Sequence, residues 1–371
     1  MRHLAVAMLL FVGAFSAHSR APVQVLAQGL ENPWGLAFID AGRMLVTERP
    51  GRLRVVEPSG QVGAPVQGLP EVDEGGQGGL LDVLADAAFA TNRTVYVCYA
   101  EPAAQGAGNS TAVARARLSN DRTRLEQLQV IFSQKPKVSS RHHFGCRIVQ
   151  SPAGDLYIAL GDRFSRMQDA QTLNNHHGKV VRIRPDGTVP PDNPFVNTPG
   201  ALPEIWSLGH RNPQGATWGP DGQLWVHEHG PQGGDEVNIV KAGRNYGWPV
   251  ITYGKNYIGT RIGEGITQRD GMEQPLWHWT PSIAPSGMAW VTSDRYGPEW
   301  KGSLLVGALR GRHLVRMSWD GQRLQPAQTL LQDWDERIRD VRQGPDGWIY
   351  LLTDDQKGQL VRLLPASTKA P

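Results

Sequence analysis

The chain has 371 residues, of which 40% are apolar, with 38 Lys and Arg against 35 Asp and Glu. It is too polar for a bundle of membrane helices and too apolar for a disordered chain, so we predict a soluble globular protein. Its net charge of +3 includes no dense basic block, so we expect no nucleic-acid partner. The 43 Gly and 27 Pro residues are spread along the chain, which predicts many short elements and argues against long helices.

The amino terminus has the pattern of a secretory signal peptide. Arg2 starts a short positive region, residues 4–15 form an apolar run, and small residues follow up to Ser19. The apolar run is too short to span a bilayer with polar flanks. We therefore predict a signal peptide over residues 1–19, export to a bacterial periplasm, and one domain over residues 20–371 without a membrane span. An uncleaved anchor or a buried strand is the alternative.

A loose unit recurs along the rest of the chain. It consists of an apolar segment, a polar turn such as Pro-Asp-Gly, a strand such as Leu-Trp-Val, and a second strand that ends near Arg. The six copies begin at Gly35, Leu80, Cys146, Gly215, Gly287 and Ile338. About 58 residues per unit suffice for a four-stranded blade. We therefore predict an all-β fold, a six-bladed β-propeller of four-stranded antiparallel blades. An array of β-sandwich domains is less favoured because no linker separates the units.

Two further features concern the closure of this ring and its loops. Residues 22–27 are expected to pair with the final strand, 358–364, because this pairing removes an open sheet edge. The longest departures from the repeat are 162–202 and 246–286. Loops of that length in a compact domain are usually functional, and the loops on one face of a propeller surround its channel mouth. We therefore expect a ligand at that mouth.

The two cysteines, Cys98 and Cys146, allow one disulfide. Both lie in apolar, strand-like segments, where buried free thiols are common. Free thiols are therefore favoured, while export to an oxidising compartment would keep the disulfide open as an alternative. The chain has no CxxC motif or Cys/His array that indicates zinc.

Two polar stretches in the first half of the chain could contact a ligand. In residues 75–79 (GGQGG) the glycines let backbone approach a ligand, and Gln77 offers both a donor and an acceptor. No GK[ST] follows, so this is not a phosphate loop. In residues 141–145 (RHHFG) adjacent side chains of an extended segment alternate, so only one histidine can face the channel. With Asp162 to fix its tautomer it would be a general base; a structural histidine is the alternative.

Two more polar stretches lie in the second half. Residues 209–215 (GHRNPQG) place Arg211 beside Asn212, a donor array suited to carboxylates or carbonyl oxygens unless the arginine pairs with a neighbouring blade. Residues 227–236 (HEHGPQGGDE) carry two histidines at i and i+2, but no third ligand for a transition metal is evident. Their carboxylates and carbonyl-rich turns favour calcium instead.

Arginines near the carboxyl terminus add positive charge before two late blades. Arg310 precedes one blade, and Arg337 and Arg339 precede the other. The last two project to one face of a strand because they are two residues apart. Together with Arg211 they predict a positive cluster at the channel mouth, which calls for a ligand with several negative charges.

Eight motifs occur in order between residues 24 and 365. They are NPWGLAF (32–38), GQGGLLDV (76–83), HFGCRIV (143–149), GHRNPQG (209–215), EHGPQGGDEVN (228–238), RNYGWP (244–249), SGMAW (286–290) and RIRDVRQGPDG (337–347). Together they resemble the soluble aldose sugar dehydrogenases that depend on pyrroloquinoline quinone (PQQ), relatives of soluble quinoprotein glucose dehydrogenase. The resemblance implies a six-bladed propeller that oxidises aldoses at C1 to lactones by hydride transfer to PQQ.

The resemblance also implies roles for single residues. His143 would take the proton of the C1 hydroxyl, and Asp162 would orient that histidine. Arg211 would stabilise charge that develops on the quinone oxygen. Contacts to the cofactor are implied for Gln77, Arg211, Asn212, Tyr257, Ala308, Leu309, Arg310, Arg337 and Arg339.

Calcium is implied at two places by the same resemblance. One ion would bridge PQQ to the backbone carbonyls of Gly230 and Pro231 and polarise the reacting carbonyl. A second, structural ion would be held by Glu236 and the carbonyl of Tyr246. The implied partners are aldose sugars and an electron acceptor of unknown identity, and we expect a monomer or a weak dimer.

Two departures from the family pattern and two rival functions qualify this interpretation. Arg310 stands where the family often has Lys, Cys146 replaces a small residue, and shorter loops than in the dedicated glucose enzymes favour broad aldose specificity. The rivals are a calcium-dependent propeller sugar lactonase, in which His143 would activate water, and a non-catalytic binding propeller. A lactonase does not require several arginines at the channel mouth, whereas a tricarboxylate quinone does.

Overall fold

The computed structural model describes residues 22–365. Within this range, strands form six four-stranded antiparallel sheets arranged as the blades of a β-propeller, so the predicted fold class is confirmed. The predicted signal peptide, residues 1–19, lies outside the described residues, and so do both ends of the predicted domain, 20–371. In the part of the chain that is described, no helix is long and apolar enough to cross a membrane.

Five blades each use four strands that are consecutive in the chain. The first contains β2 (Pro33–Phe38), β3 (Met44–Glu48), β4 (Arg52–Val56) and β5 (Val62–Pro65). The second contains β6 (Leu80–Ala85), β7 (Thr94–Pro102), β8 (Asn109–Leu118) and β9 (Leu125–Ser133). The third contains β10 (Gly145–Gln150), β11 (Leu156–Leu160), β12 (Lys179–Ile183) and β13 (Ile205–Leu208). The fourth contains β14 (Pro213–Trp218), β15 (Leu224–Glu228), β16 (Asp235–Val240) and β17 (Trp277–Trp279). The fifth contains β18 (Pro285–Trp290), β19 (Leu304–Ala308), β20 (Leu314–Trp319) and β21 (Leu324–Leu330).

The sixth blade joins the two ends of the described chain. It contains β22 (Ile338–Gln343), β23 (Ile349–Thr353), β24 (Gly358–Leu363) and, as its outer strand, β1 (Val23–Leu30). Val23 lies opposite Leu363 and Val25 opposite Val361. The predicted closure is therefore confirmed, and it removes the open edge that an unclosed ring would expose. The remaining elements are a helical turn, α1 (Phe89–Asn92), and two 3-10 turns, Met167–Gln171 and Gln332–Trp334.

Each copy of the repeat begins on or just inside the innermost strand of a blade. The innermost strands β2, β6, β10, β14, β18 and β22 pack against one another around the axis and are almost entirely buried. The Pro-Asp-Gly turns connect neighbouring strands, and Gly222 and Gly347 in them have φ values of +71° and +81°. That left-handed conformation is what glycine supplies in tight hairpins.

The two long departures from the repeat are not wholly loops. Segment 162–202 contains β12, and segment 246–286 contains β17. Both strands are short and flanked by long connections, so the loose repeat did not reveal them. The true loops around them, which lie beside the innermost strands of two blades, carry several of the candidate site residues.

Cys98 and Cys146 form a disulfide, so the expectation of free thiols was wrong. Cys98 lies on β7 of the second blade and Cys146 on β10 of the third, and both are fully buried. Their Cα atoms are 5.7 Å apart, within the range that a disulfide spans. The sequence places the two residues 48 positions apart, and only the packing of two adjacent blades brings them together.

We predict that removing this disulfide lowers the stability of the protein. The double variant Cys98→Ala/Cys146→Ala should lose about 2–4 kcal/mol of the free energy of unfolding. The reason is that the unfolded chain is no longer constrained by a cross-link between residues 48 positions apart. Urea unfolding without reductant measures the difference. As a control, a reductant present throughout the titration should bring the wild-type protein to the stability of the variant. Equal stability of both proteins without reductant would contradict the prediction.

Candidate active site

A cavity of about 300 Å3 lies on the propeller axis. Its lining residues are Trp34, Arg49, Gln77, Leu81, Phe144, Gly145, Asn212, Gln214, His229, Ala284, Leu309, Arg337, Arg339 and Asp354. They lie on the innermost strands of the blades, just before those strands, or just after the second strands, and all six blades contribute. The predicted location of the ligand, at the mouth of the central channel, therefore coincides with a cavity of suitable size.

The cavity carries an excess of positive charge. Arg337 and Arg339 both donate to one carboxylate, with Nη2 to Oδ2 of Asp354 at 2.7 Å and Nη2 to Oδ1 at 3.0 Å. Arg337 lies just before β22 and not on it, so the prediction that both arginines project from one strand was wrong, although both reach Asp354, which partly neutralises them. Arg49 adds a third guanidinium, whose buried Nε has no partner among the described residues. Three guanidinium groups and one carboxylate give the cavity a net positive charge, which favours an anionic ligand.

His143 lies beside this cavity and pairs with Asp162. Its Nδ1 is 2.6 Å from Asp162 Oδ1, and its backbone N–H donates to Gln77 Oε1 at 2.8 Å. The prediction of an extended segment with alternating side chains was wrong here, because residues 141–144 form no strand and His143 has a φ of +51°. The turn nevertheless buries His143 and leaves His142 exposed, so one of the two histidines is selected.

The pKa values of this pair decide which atom can accept a proton. Burial raises the pKa of Asp162, but the hydrogen bond from His143 and the charge of Arg211 outweigh it, so the pKa is lowered and Asp162 is a carboxylate. His143 Nδ1 must then carry the proton, which leaves Nε2 as the basic atom. Burial and Arg211 lower the pKa of His143, although Asp162 opposes them. The imidazole is therefore neutral near pH 7 and able to act as a base.

Trp248 connects this pair to Arg211. Its Nε1–H donates to Asp162 Oδ2 at 2.7 Å, and the guanidinium of Arg211 lies 5.3 Å from the centroid of its ring. The backbone N–H of Asp162 also donates to the carbonyl of Arg211 at 2.9 Å. Asp162 thus uses both oxygens to hold its neighbours in place. The sequence showed Trp248 only as part of the NYGWP motif and gave no sign of this contact.

Arg211 is held by backbone groups of the fourth blade. Its Nη1 donates to the carbonyls of Gly230 at 2.8 Å and His229 at 3.0 Å, and its backbone N–H donates to Glu228. Its Nη2 lies 3.4 Å from the hydroxyl of Tyr257. The buried Nε has no partner among residues 22–365. Arg211 is thus fixed in position while its Nε–H remains available as a donor.

The other predicted cofactor contacts are brought together unequally. Asn212 lines the cavity, and its Oδ1 lies 3.3 Å from the backbone N of Gly145, next to the loop of the candidate base. Leu309 also lines the cavity. Ala308 is buried in β19, and Arg310 is exposed to solvent; neither is among the residues that line the cavity.

Five lining residues with polar side-chain atoms were missed by the sequence reasoning. They are Trp34, Arg49, Gln214, His229 and Asp354. Trp34, Gln214 and His229 stand inside the motifs quoted above, which is a signal that could have found them. Nothing in the local sequence marks Arg49 or Asp354, which each follow a second blade strand.

A second, much smaller cavity lies beside Arg211. At about 10 Å3 it holds roughly one water-sized sphere, and Glu228, Glu236 and Tyr246 are among its lining residues. Burial and the nearby charge of Glu228 raise the pKa of Glu236 to about 8. Two carboxylates that repel each other around so small a space suit a cation.

The backbone carbonyl of Gly230, a predicted calcium ligand, already accepts a hydrogen bond from Arg211. Its second lone pair remains free to bind an ion. Within 22–365 no group of three or more His, Cys, Asp or Glu side chains could hold a metal ion, so backbone carbonyls would have to contribute. The histidine pair of the fourth blade does not converge on one point. His229 Nε2 contacts the carbonyl of Pro285 at 2.7 Å, whereas neither ring nitrogen of buried His227 has a partner in the described range.

The sequence profile of the Glucose / Sorbosone dehydrogenase family matches residues 30–362. A curated relative, aldose sugar dehydrogenase YliI of Escherichia coli (strain K12), is 43% identical over 95% of each chain. The crystal structure of a glucose dehydrogenase is 47% identical in sequence to this chain, with a TM-score of 0.90; the match covers 93% of this chain and 99% of the glucose dehydrogenase. The structure of the PQQ-bound form of aldose sugar dehydrogenase from Streptomyces coelicolor is 28% identical in sequence, with a TM-score of 0.73. The match covers 91% of this chain and 96% of that enzyme.

We predict that Asp354→Asn destabilises the protein in a pH-dependent way. Burial raises the pKa of Asp354, but Arg339 and Arg337 outweigh it and lower the pKa to about 2, from 3.8 when unfolded. The carboxylate therefore contributes about 2 kcal/mol of stability above pH 4, and this contribution disappears as the pH falls towards 2.

Urea unfolding at neutral and acidic pH tests this prediction. Asp335→Asn is the matched control, since Asp335 pairs with Arg312 at the surface and its side chain is 80% exposed. A difference between wild type and Asp354→Asn that stays constant down to pH 2 would contradict the assignment.

Proposed function

Because the chain belongs to the glucose and sorbosone dehydrogenase family, we propose that it oxidises aldose sugars at C1 to lactones, with PQQ and calcium as cofactors. One observation carries this proposal: a cavity with an excess of positive charge lies beside a buried, neutral His143 that is oriented by Asp162. An alcohol oxidation of this kind needs a base for the hydroxyl proton and a hydride acceptor that no side chain can supply.

The lining residues fit the shape and charge of PQQ, a flat molecule with three carboxylates. Arg49, Arg337 and Arg339 would hold the carboxylates of PQQ. Arg337 and Arg339 already bind one carboxylate of the protein, that of Asp354. Gln77 and Asn212 would contact its polar ring atoms, because both have side-chain amides at the cavity wall. When bound, PQQ supplies the acceptor for the hydride that leaves C1 of the sugar.

His143 performs the proton transfer in this proposal. Its Nε2 accepts the proton of the C1 hydroxyl as the C–H bond at C1 breaks, which leaves a carbonyl at C1. Asp162 keeps the proton on Nδ1 and stabilises the imidazolium that forms. Trp248 and the backbone of Phe164 hold Asp162 in that orientation, with donor–acceptor distances of 2.7 Å each. Arg211 places positive charge next to the reacting atoms.

Calcium would be held by oxygen ligands near Arg211. Glu236 and the carbonyl of Tyr246 adjoin the small cavity, and a cation there would relieve the repulsion between Glu236 and Glu228. Gly230 and Pro231 would offer carbonyls for a second ion at the cofactor. Calcium supplies Lewis-acid polarisation of a bound carbonyl.

A propeller lactonase would require a different electrostatic arrangement. Such an enzyme holds calcium with several carboxylates at the channel mouth to activate water. Asp354 is the single carboxylate among the described residues that line the main cavity, and it is already paired with Arg337 and Arg339. The excess of arginines therefore favours the dehydrogenase.

We predict that the protein reconstituted with PQQ and calcium reduces an artificial dye in the presence of aldoses. His143→Ala should keep the affinity for PQQ, measured by titration, but lose turnover by about 100-fold or more, because a general base contributes that much. His142→Ala is the matched control, since that neighbouring side chain is exposed, and it should keep kcat. Absence of PQQ binding and of activity with all aldoses would refute the proposed function; unchanged kcat in His143→Ala would refute the role of the base.

Export to a periplasm also belongs to the proposal. It is supported by the signal-like residues 1–19 and by the disulfide between Cys98 and Cys146, since disulfides persist mainly in oxidising compartments. We predict that protein expressed from the full gene in a bacterium is recovered from the periplasm. Its intact mass should correspond to a chain that starts near residue 20. Recovery of the full-length mass from the cytoplasm would contradict this expectation.

A further inference from the structure

Phe164 is an exposed aromatic residue next to the candidate base. Its ring packs edge-on against the imidazole of His143, with centroids 5.2 Å apart, and lies 5.5 Å from the ring of His142. Nevertheless 49% of Phe164 is exposed to solvent. A single exposed apolar side chain is common on protein surfaces, so the feature that distinguishes Phe164 is its packing against the imidazole of the candidate base.

The backbone around Phe164 is held in an unfavourable conformation. Arg163 and Phe164 have φ values of +58° and +63°, in the left-handed region that non-glycine residues rarely occupy. Such conformations are energetically unfavourable and persist where the surrounding structure fixes them, often at functional sites. Two such residues in a row directly after Asp162 indicate that the direction of the Phe164 side chain is imposed by the fold.

Arg163 is the anchor that imposes this direction. It is fully buried, and its guanidinium lies 3.9 Å from the ring centroid of Phe144. It donates to Asn109 Oδ1 at 2.6 Å and to the carbonyl of Ser140 at 2.7 Å. With Arg163 turned inwards, the next side chain in the left-handed turn points out of the protein.

The backbone of Phe164 is fixed by the catalytic pair itself. Its N–H donates to Asp162 Oδ1 at 2.7 Å, the same oxygen that contacts His143 Nδ1. The ring therefore has a set position relative to the imidazole before any ligand arrives. A rigid aromatic side chain of this kind loses little conformational entropy when it contacts a ligand.

We propose that Phe164 forms one wall of the sugar subsite and packs against the apolar C–H face of the aldose ring whose C1 hydroxyl lies at His143. A sugar ring has hydroxyls around its rim and C–H groups on its faces, so a pocket that binds it combines polar groups with an aromatic surface. The polar groups at this place are His143 and Arg211, and Phe164 supplies the apolar surface. This inference rests on the proposed function.

A docked protein electron acceptor is the other occupant for which an exposed aromatic could be kept. The sugar is favoured because the ring of Phe164 contacts the imidazole that receives the proton of the sugar, whereas an acceptor only needs proximity to the cofactor. The two occupants affect different Michaelis constants, so a kinetic experiment separates them.

The test uses the full chain reconstituted with PQQ and calcium, with D-glucose and D-xylose as substrates and an artificial dye as acceptor. In Phe164→Ala the KM for both sugars should rise roughly 3- to 10-fold, because an aromatic contact contributes that much, while kcat stays near the wild-type value. Phe164→Tyr should restore the wild-type KM. Met167→Ala is the control, since Met167 is 37% exposed just beyond Phe164 and should leave both constants unchanged.

The outcomes distinguish this inference from the proposed function. An unchanged KM for sugars in Phe164→Ala, in a protein that oxidises aldoses, would overturn the inference and leave the function standing. A change confined to the KM of the dye, or of a protein acceptor, would also overturn it in favour of acceptor docking. A wild-type protein that binds PQQ but oxidises no aldose would overturn both.

Discussion

Four charged side chains at the centre of the propeller, three of them fully buried, link the innermost strands of three blades. Arg147 on β10 donates to Asp82 on β6 at 2.8 Å and lies 3.3 Å from Asp340 on β22. Arg342 on β22 contacts both carboxylates, at 3.3 Å and 3.0 Å. Removing one member would leave an unpaired buried charge, which typically costs about 3–5 kcal/mol. The guanidinium of Arg147 also lies 4.4 Å from the centroid of the Trp34 ring, and Trp34 lines the cavity. The charged network therefore packs directly behind the cavity wall.

This central network explains why the site is where it is. Once the innermost strands are fixed to one another, the residues just before each strand face the same space. Gln77 precedes β6, His143 precedes β10, Asn212 precedes β14 and Arg337 precedes β22. Residues that are far apart in sequence thus meet because they occupy equivalent places in four repeats. The chemistry of the site is carried by these short segments, and the blades behind them supply rigidity.

How much of this could be predicted depended on whether a feature is local. The repeat, its turns and the i, i+2 spacing of Arg337 and Arg339 are local, and they led to the correct fold and to a charged channel mouth. The disulfide was predicted wrongly, because it depends on which strands of adjacent blades face each other. Asp354 was missed for a related reason: it lies beside Arg337 only through the pairing of β22 with β23. Trp248 reaches Asp162 from another blade, and no spacing in the sequence encodes that contact.

The central claim is that the cavity holds a hydride acceptor and that His143 takes the matching proton from the sugar. Rapid mixing of the protein, preloaded with PQQ and calcium, with D-glucose deuterated at C1 tests it most directly. Because the bond between C1 and its hydrogen breaks in this step, we expect the deuterated sugar to reduce the cofactor more slowly than ordinary D-glucose does in a single turnover. Absence of cofactor reduction with either sugar would contradict it.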